Sequence, residues 1–205
     1  SIQNAKKSKL ISKIYINSDH QVFKNIANKY NINFYLRPKK LGSSKVLSDD
    51  VVLDFINKFK SDIIVWVNPI TPLLNFEEID QCLSFFIKNN LNSLITVNNL
   101  QKHFYYKNKP VNFKLNSKFN KTQDLISLQQ FVYSLMVWKT SSFKKFYKKN
   151  GYSIIHGKFK TFEVNSESGF LVKNDFDLNL IELIIKNKNL KKRIQYDKIL
   201  NLKNV

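Results

Sequence analysis

Apolar and polar positions along this chain recur at two periods, and the alternation between them predicts an order of elements. Ile11 to Ile16 alternates as a strand does and ends in the polar Asn17-Ser18-Asp19. Gln21 to Tyr30 puts Val22, Phe23, Ile26 and Ala27 on one helical face. Asn33 to Leu36 predicts a short strand stopped at Arg37-Pro38, because the residue before proline is pushed toward extended geometry. Ser48-Asp49-Asp50 predicts a helix N-cap ahead of Val51, Val52, Phe55, Ile56 and Phe59. Asp62 to Val67 is a nearly continuous apolar run, the pattern of a strand covered on both faces, and it breaks at Asn68-Pro69-Ile70-Thr71-Pro72. Phe76 to Ile87 predicts a helix whose acidic Glu77, Glu78 and Asp80 suit the positive end of its dipole. Ser93 to Val97 predicts another strand.

Further on, Phe104 to Leu115 carries Pro110 between two short β-like runs and predicts a hairpin projecting from the sheet. A strand over Phe131 to Trp138, a basic amphipathic helix over Ser141 to Tyr147, a strand over Phe159 to Val164 and a helix over Asp177 to Ile185 follow. Strands alternating with helices in this way predict an α/β fold with a mainly parallel sheet in three layers. Ile2, Ala5 and Leu10 read as the closing turns of a helix with no strand ahead of it, and the chain opens without Met. The expectation is a chain missing its first strand and turn, the unit that commonly holds nucleotide phosphates in open α/β sheets. The predicted organisation is one domain over residues 1–186 and a basic helical tail over 187–205 containing Lys191-Lys192-Arg193.

Composition narrows the function classes. With 43% hydrophobic and 24% charged residues, the 205-residue chain is ordinary for a globular protein and can bury a full core. The single Cys82 excludes an internal disulfide, and no Cys/His cluster has zinc spacing. No apolar run has membrane-spanning length and no leader pattern is present, so a cytoplasmic protein is the simplest reading. The formal net charge of +19 invites a nucleic-acid partner. Yet the only arginines are Arg37 and Arg193, and base readers lean on arginine's bidentate fork. The lysine excess reads either as a solvated surface or as attraction for polyanions, nucleotides among them; a nucleic-acid-binding module is the weaker reading. His20, His103 and His156 are scattered without a nucleophile pattern and read as surface or packing residues.

Five segments, in order, resemble the CMP-sugar synthetases, the cytidylyltransferases that activate sialic, legionaminic, pseudaminic and related acids for surface glycans. Ser8 to Asp19 is similar to the family's second strand, which ends in Ser-Thr-Asp. Leu36-Arg37-Pro38 with Leu41 and Ser48-Asp49-Asp50 resembles its RP…L stretch and the serine before the next helix. Val67 to Leu73 is similar to its Gln-Pro-Thr-Ser-Pro-Leu loop, and Lys121-Thr122-Gln123-Asp124-Leu125 to its Arg-Thr-Gln-Asp-Leu segment. Asp177-Leu178 with Glu182 resembles the start of a late helix.

The resemblance implies a Rossmann-like fold of the nucleotide-diphospho-sugar transferase type. It implies CTP or CMP and an acidic sugar as ligands, Mg²⁺ as cofactor, and a homodimer joined through the hairpin region. It places Arg37 and Ser48 at the cytosine base, Asn68 at the sugar, and Lys121, Gln123 and Asp124 on the sugar and phosphate side. Each has a plainer reading: Arg37 ahead of a turn proline, Ser48 as a cap, Asn68 in an Asn-Pro turn, the last three as loop polarity.

The departures also carry information. The family's Gly-rich, Lys-containing phosphate loop belongs to the missing first unit. Its metal-holding Asp-x-Asp falls on Leu171 and Lys173, or on Gly169 and Leu171 with the frame moved by two. Asp175 and Asp177 lie nearby, but Asp177 reads as a helix N-cap, so no metal ligand is assigned. The family's Asn-Gly falls on Val132-Tyr133. A homologue that binds nucleotide, sugar or a partner subunit without catalysis is therefore the alternative to an active enzyme.

Overall fold

A computed structural model describes residues 1–187. The tail expected over 187–205, with Lys191, Lys192 and Arg193, therefore lies outside the described residues apart from Asn187. The chain divides into two compact units, Ser1–Leu171 and one beginning at Val172.

The first unit follows the order α1 (Ile2–Lys7), β1 (Tyr15–Ser18), α2 (Phe23–Tyr30), β2 (Asn33–Leu36), α3 (Ser48–Lys58), β3 (Ile63–Val67), α4 (Phe76–Lys88) and β4 (Ser93–Leu100). The hairpin β5 (Tyr105–Tyr106) and β6 (Lys109–Pro110) comes next, then β7 (Leu128–Lys139), α5 (Thr140–Asn150) and β8 (Phe159–Glu163). The strands form a β1-β2 pair, a four-stranded sheet in the order β3-β7-β4-β8, and the hairpin.

β1 and β2 run parallel, as do β4 and β8, whereas β7 runs antiparallel to both β3 and β4. The α/β reading holds, and the sheet expected to be mainly parallel is mixed. An apolar run specifies burial and not direction, so the reversal of β7 left no mark in the sequence pattern.

The four-stranded sheet is a middle layer. On one face Ile79, Cys82, Leu83 and Phe86 of α4 meet Leu94, Leu135 and Val137, with Ile63, Val65 and Val67 beside them. On the other, Val52 and Ile56 of α3 and Phe143 of α5 meet Ile95, Met136 and Trp138, with Ile64 and Trp66. The period-2 alternation of β3 thus serves both clusters at once. Burial pushes the Cys82 thiol far above its usual range, so it acts as a small apolar core residue.

α4 opens on a capping box the sequence reading missed: Glu78 N donates to Asn75 Oδ1 at 2.8 Å and Asn75 N to Glu78 Oε2 at 3.5 Å. The predicted cap at Ser48 is corrected, because Ser48 is the first helical residue of α3, Leu47 occupies the cap position, and no side chain caps there. Asp49 instead accepts the Ser153 and Ile154 amides, and Asp50 accepts the Tyr147 hydroxyl, tying α3 to α5 and the loop after it. The hairpin forms as predicted, with Lys107 and Asn108 both at positive φ (46° and 60°), the signature of a tight two-residue turn.

β7 carries a bulge. Its register with β4 shifts between Ile95 and Val97, and Tyr133 inside the shift sits at φ 54°. Thr96 Oγ1 patches the disrupted ladder, accepting from Leu135 N at 3.0 Å and donating to Leu135 O at 3.1 Å.

The second unit contains α6 (Asp175–Asn187). Asn174 Oδ1 accepts from Asp177 N at 3.0 Å, and Asp177 Oδ2 accepts from Lys173 N at 2.9 Å. Asn174 therefore caps the helix through its side chain, and Asp177 is not the cap but an acceptor for the Lys173 amide ahead of it, because the helix starts two residues earlier than its apolar period suggested.

Candidate functional site

Parallel strands leave their following loops on one edge, and the resemblance residues fall on such loops. β1 and β2 are in register at Ser18 and Leu36, so the next residues out, Asp19 and Arg37, stand side by side. Arg37 Nη2 donates to Asp19 Oδ1 at 3.1 Å and Nη1 to Asn17 O at 3.3 Å, while Arg37 N holds Ser18 O at 2.9 Å. The guanidinium is largely covered, with 19% side-chain exposure. Two polar atoms here are buried without a partner: Arg37 Nε and Asn17 Oδ1.

The turn over Lys39–Gly42 closes on this pair. A Cβ at Gly42 would lie 2.0 Å from Asp19 Oδ2, so any larger residue there would have to displace the Asp19 carboxylate. The sequence reading did not pair Asp19 and Asn17 with Arg37; the available signal was an acid and an arginine one step beyond adjacent parallel strands. Ser48 begins the helix that returns the chain from β2 to β3; it is exposed and has no hydrogen bond to Arg37.

Asn68 follows β3 and makes the expected turn. Its Oδ1 accepts from Ile70 N at 3.3 Å and its carbonyl accepts the Thr71 hydroxyl at 2.9 Å, while its own N–H reaches Ser134 O at 3.0 Å. The amide nitrogen of its side chain has no hydrogen bond among the described residues, which leaves one donor for another group.

Because β3 and β4 run the same way on either side of β7, the end of β4 lies on this edge too. Gln101, just past β4, donates through Nε2 to Gln123 O at 2.8 Å and Leu125 O at 3.2 Å. Leu125 is buried, so it and Gln101 hold the short 3-10 turn Thr122–Asp124 in place. Lys121, Gln123 and Asp124 are all exposed, and their side chains make no hydrogen bond among the described residues. Arg37 is thus paired at the end of the β1-β2 sheet, while Asn68 and the anchored 122–124 turn follow strands of the four-stranded sheet; no hydrogen bond among the described residues joins these three places. Ser48 is not joined to Arg37.

Opposite Asn68, the loop after β8 is fixed from several sides. Glu78, buried, accepts from Asn165 N at 2.7 Å and from the Ser168 hydroxyl, and Ser134 Oγ donates to Ser168 O at 2.6 Å. The loop passes so close to β4 that a Cβ at Gly169 would lie 1.8 Å from Asn98 Oδ1, which leaves position 169 no room for a carboxylate ligand.

A divalent cation needs oxygen donors, and the chain does not supply them where the resemblance implies Mg²⁺. Leu171 has no donor, Lys173 brings a positive charge, and Asp177 Oδ2 already accepts the Lys173 amide. Among the described residues no group of three or more His, Cys, Asp or Glu stands close enough to hold a metal. The residues present do not fit the ion.

The histidines pack as expected. His103 stacks on Phe119 at 4.1 Å. His156 is buried between the Ser142 hydroxyl (Nε2, 2.7 Å) and the Ser153 carbonyl (Nδ1, 2.6 Å), and burial holds its pKa below the usual value against the opposing pull of that carbonyl. Among the described residues no helix is long and apolar enough to cross a membrane.

The sequence profile of the cytidylyltransferases matches residues 1–149. Among solved structures, the chain is similar to a CMP:2-keto-3-deoxy-manno-octonic acid synthetase complexed with CTP, at TM-score 0.67 and 9% identity over 91% of this chain and 86% of that one. It is also similar to the 4-diphosphocytidyl-2C-methyl-D-erythritol synthase of Anaerococcus prevotii, at TM-score 0.59 and 11% identity over 90% and 83%. A cytidylyltransferase from Leptospira borgpetersenii serovar Hardjo-bovis aligns at TM-score 0.50 and 14% identity over 95% and 86%. At these identities the three share the fold. No curated protein matches in sequence.

Proposed function

The chain belongs to the cytidylyltransferase family, and from that premise we propose that it binds a cytidine nucleotide beside Arg37, in service of CMP transfer from CTP to an acidic sugar of the sialic, legionaminic or pseudaminic type. The observation that carries this reading is the buried, unpartnered Nε of Arg37. A buried donor without an acceptor costs about 1–3 kcal/mol, and a cytosine carbonyl or ring nitrogen arriving at this edge would supply the acceptor. The octonic acid synthetase of the same fold holds CTP, which supports the choice of nucleotide.

In this reading Asp19 orients the guanidinium and exposed Ser48 adds a directional hydroxyl contact to the base. Asn68 offers its free amide donor to the sugar. Lys121, Gln123 and Asp124 face the sugar acid and phosphates, Lys121 as a point charge and not a bidentate fork. The reaction is attack of a sugar hydroxyl on the α-phosphorus of CTP with release of pyrophosphate. It needs no covalent enzyme intermediate, only positioning and charge neutralisation.

Calorimetry tests the base pocket. CTP and CMP are expected to bind more tightly than UTP and UMP, and Arg37→Ala to weaken CMP binding by about 1–3 kcal/mol. Equal, weak binding of all four with no effect of the substitution would overturn the reading.

Leu171 and Lys173 favour a second reading on the same site: a homologue that binds nucleotide, sugar or a partner subunit without turnover. It predicts no measurable Mg²⁺-dependent release of pyrophosphate from CTP with any of several 2-keto sugar acids; robust release would reject it. We also assign the β5–β6 region to a homodimer contact, supported by exposed Tyr105, Tyr106 and Phe119, and place the protein in the cytoplasm with its nucleotide. Tyr106→Lys is expected to shift a sedimenting dimer to monomer.

A further inference from the structure

At the end of β3 remote from Asn68 the chain carries a polar cavity. Asp62 precedes the strand and Asn68 follows it, so the two places lie about 20 Å apart along it. α3 ends at Lys58, and Lys60, Ser61 and Asp62 lead from it into β3. β7 runs antiparallel beside β3, with Lys139 opposite Ile63, so the start of α5 at Thr140 comes back to the same place. Thr140 N donates to Asp62 O at 2.9 Å and closes the join. The cavity there has a volume of about 350 Å³ and is lined by Ile56, Lys60, Ser61, Asp62, Thr140 and Lys144. Small-molecule sites span about 300–1,000 Å³, so it can take a small ligand.

Ile56 and Thr140 are buried and form its floor, while Lys60, Ser61 and Asp62 form an exposed rim. Lys144 sets the cavity apart. Every other lysine among the described residues is exposed, whereas Lys144 is partly buried and has no hydrogen bond or ion pair among them. It stands four residues after Thr140 on the same face of α5, and helical side chains lean toward the preceding turn, which brings its ammonium over the floor. A cation drawn partly out of water without a counter-ion is costly, and an anion in the cavity would relieve that cost. The Ser61 and Thr140 hydroxyls meet at 3.3 Å, a long contact that leaves both able to turn toward a ligand. Asp62 forms no ion pair with either lysine, and the chain has no acidic residue between Asp124 and Glu163 to offset the charge of α5.

We propose that this cavity binds a small phosphorylated polyhydroxy compound, its phosphate between Lys60 and Lys144 and its hydroxyls on Asp62. Two ammonium groups and two hydroxyl donors suit the oxygens of a phosphomonoester, which lysine holds as a point charge. The carboxylate fixes the rest of the ligand. It repels a bare anion but accepts hydrogen bonds from hydroxyls, so the set favours the ester over inorganic phosphate. Ile56 at the floor gives the ligand's carbon skeleton an apolar contact. Arg37, Asn68 and the 122–124 turn take no part in the lining, so the site is independent of the one proposed for nucleotide.

Titrating the ¹⁵N-labelled 205-residue chain with glucose 6-phosphate, glucose and inorganic phosphate at fixed ionic strength tests this without reference to nucleotide. Glucose 6-phosphate is expected to give saturable shifts at the amides of Lys60 to Asp62 and Thr140 to Lys144, leaving Arg37 and Asn68 unmoved, and glucose alone to give none. Inorganic phosphate should bind at the same amides about tenfold more weakly. Lys144→Met keeps the aliphatic stem and removes the charge, and should weaken the ester about tenfold or more. Lys145→Met, at the exposed neighbour, should weaken it by less than about twofold. Asp62→Asn should tighten inorganic phosphate and shrink the ester's advantage over it. The absence of saturable shifts at these amides, equal losses from Lys144→Met and Lys145→Met, or equal affinity for ester and inorganic phosphate would each overturn the proposal.

Discussion

β4 and β7 on one side and β1, β2 and β3 on the other are built from comparable apolar sequence but are held in different ways. Leu94, Ile95, Val97, Leu135, Val137 and Trp138 are fully enclosed between α4 and the α3/α5 layer. β1 and β2 rest on α3 through a cluster of rings, Tyr15, Tyr35, Phe55 and Phe59, and on one ion pair at their ends. The enclosed strands hold the fold, while the partly covered ones carry the edge on which Arg37 Nε and Asn17 Oδ1 lack partners. Regions with fewer buried contacts open more easily and gain most from whatever binds them.

The comparison breaks most visibly by truncating a ring on each side. Trp138→Ala removes a fully buried indole whose Nε1 donates to Ile154 O at 2.8 Å, and is expected to cost about 3–5 kcal/mol in denaturant unfolding. Phe55→Ala, in the half-buried ring cluster, is expected to cost about 1–2 kcal/mol. Equal losses would mean that the β1-β2 pair is as firmly held as the sheet.

A smaller effect concerns the bulge that carries Ser134 toward the 165–169 loop. Tyr133 holds φ 54° at a cost of roughly 1–2 kcal/mol for a residue with a Cβ, part of which glycine would return as unfolded-state entropy. Tyr133→Gly should therefore raise stability by about 0.5–1 kcal/mol, with Tyr133→Phe unchanged. A loss on glycine would show that the ring's contact with Phe131 outweighs the strain.

The smallest effect is a pH dependence confined to the enclosed side. Burial lowers the folded pKa of His156 below 6.5, so its contribution is complete above that value and is lost as pH falls through the folded one. Stability should decline as the solution is acidified below pH 6.5, and His156→Gln should flatten that part of the curve. An unchanged slope would assign the decline to carboxylates.

How much of this was legible follows from what each pattern encodes. The strand over Asn33–Leu36 and the helix starting at Phe76 were read to the residue, since period and punctuation agree there. The hairpin was legible from Pro110 between short runs. The direction of β7 was not, because burial is blind to direction. Its bulge was hidden by Tyr133, a good strand former standing where glycine would have announced a turn. The cap at Ser48 was misread because serine favours both the cap and the first turn. Of the candidate site, Arg37 and Asn68 were proposed by resemblance, while the pairing of Asp19 and Asn17 with Arg37 became visible only through the register of β1 on β2.

The central claim is that a cytidine nucleotide binds beside Arg37 at the carboxyl edge of the strands. Titrating the ¹⁵N-labelled chain with CMP at fixed ionic strength tests it most directly, by mapping which backbone amides shift. The account predicts saturable shifts clustered at Asn17 to Asp19, Arg37, Asn68 and Lys121 to Asp124, all abolished by Arg37→Ala. Shifts confined to the lysines of α5, Lys144, Lys145, Lys148 and Lys149, or no saturable shift at all, would contradict it.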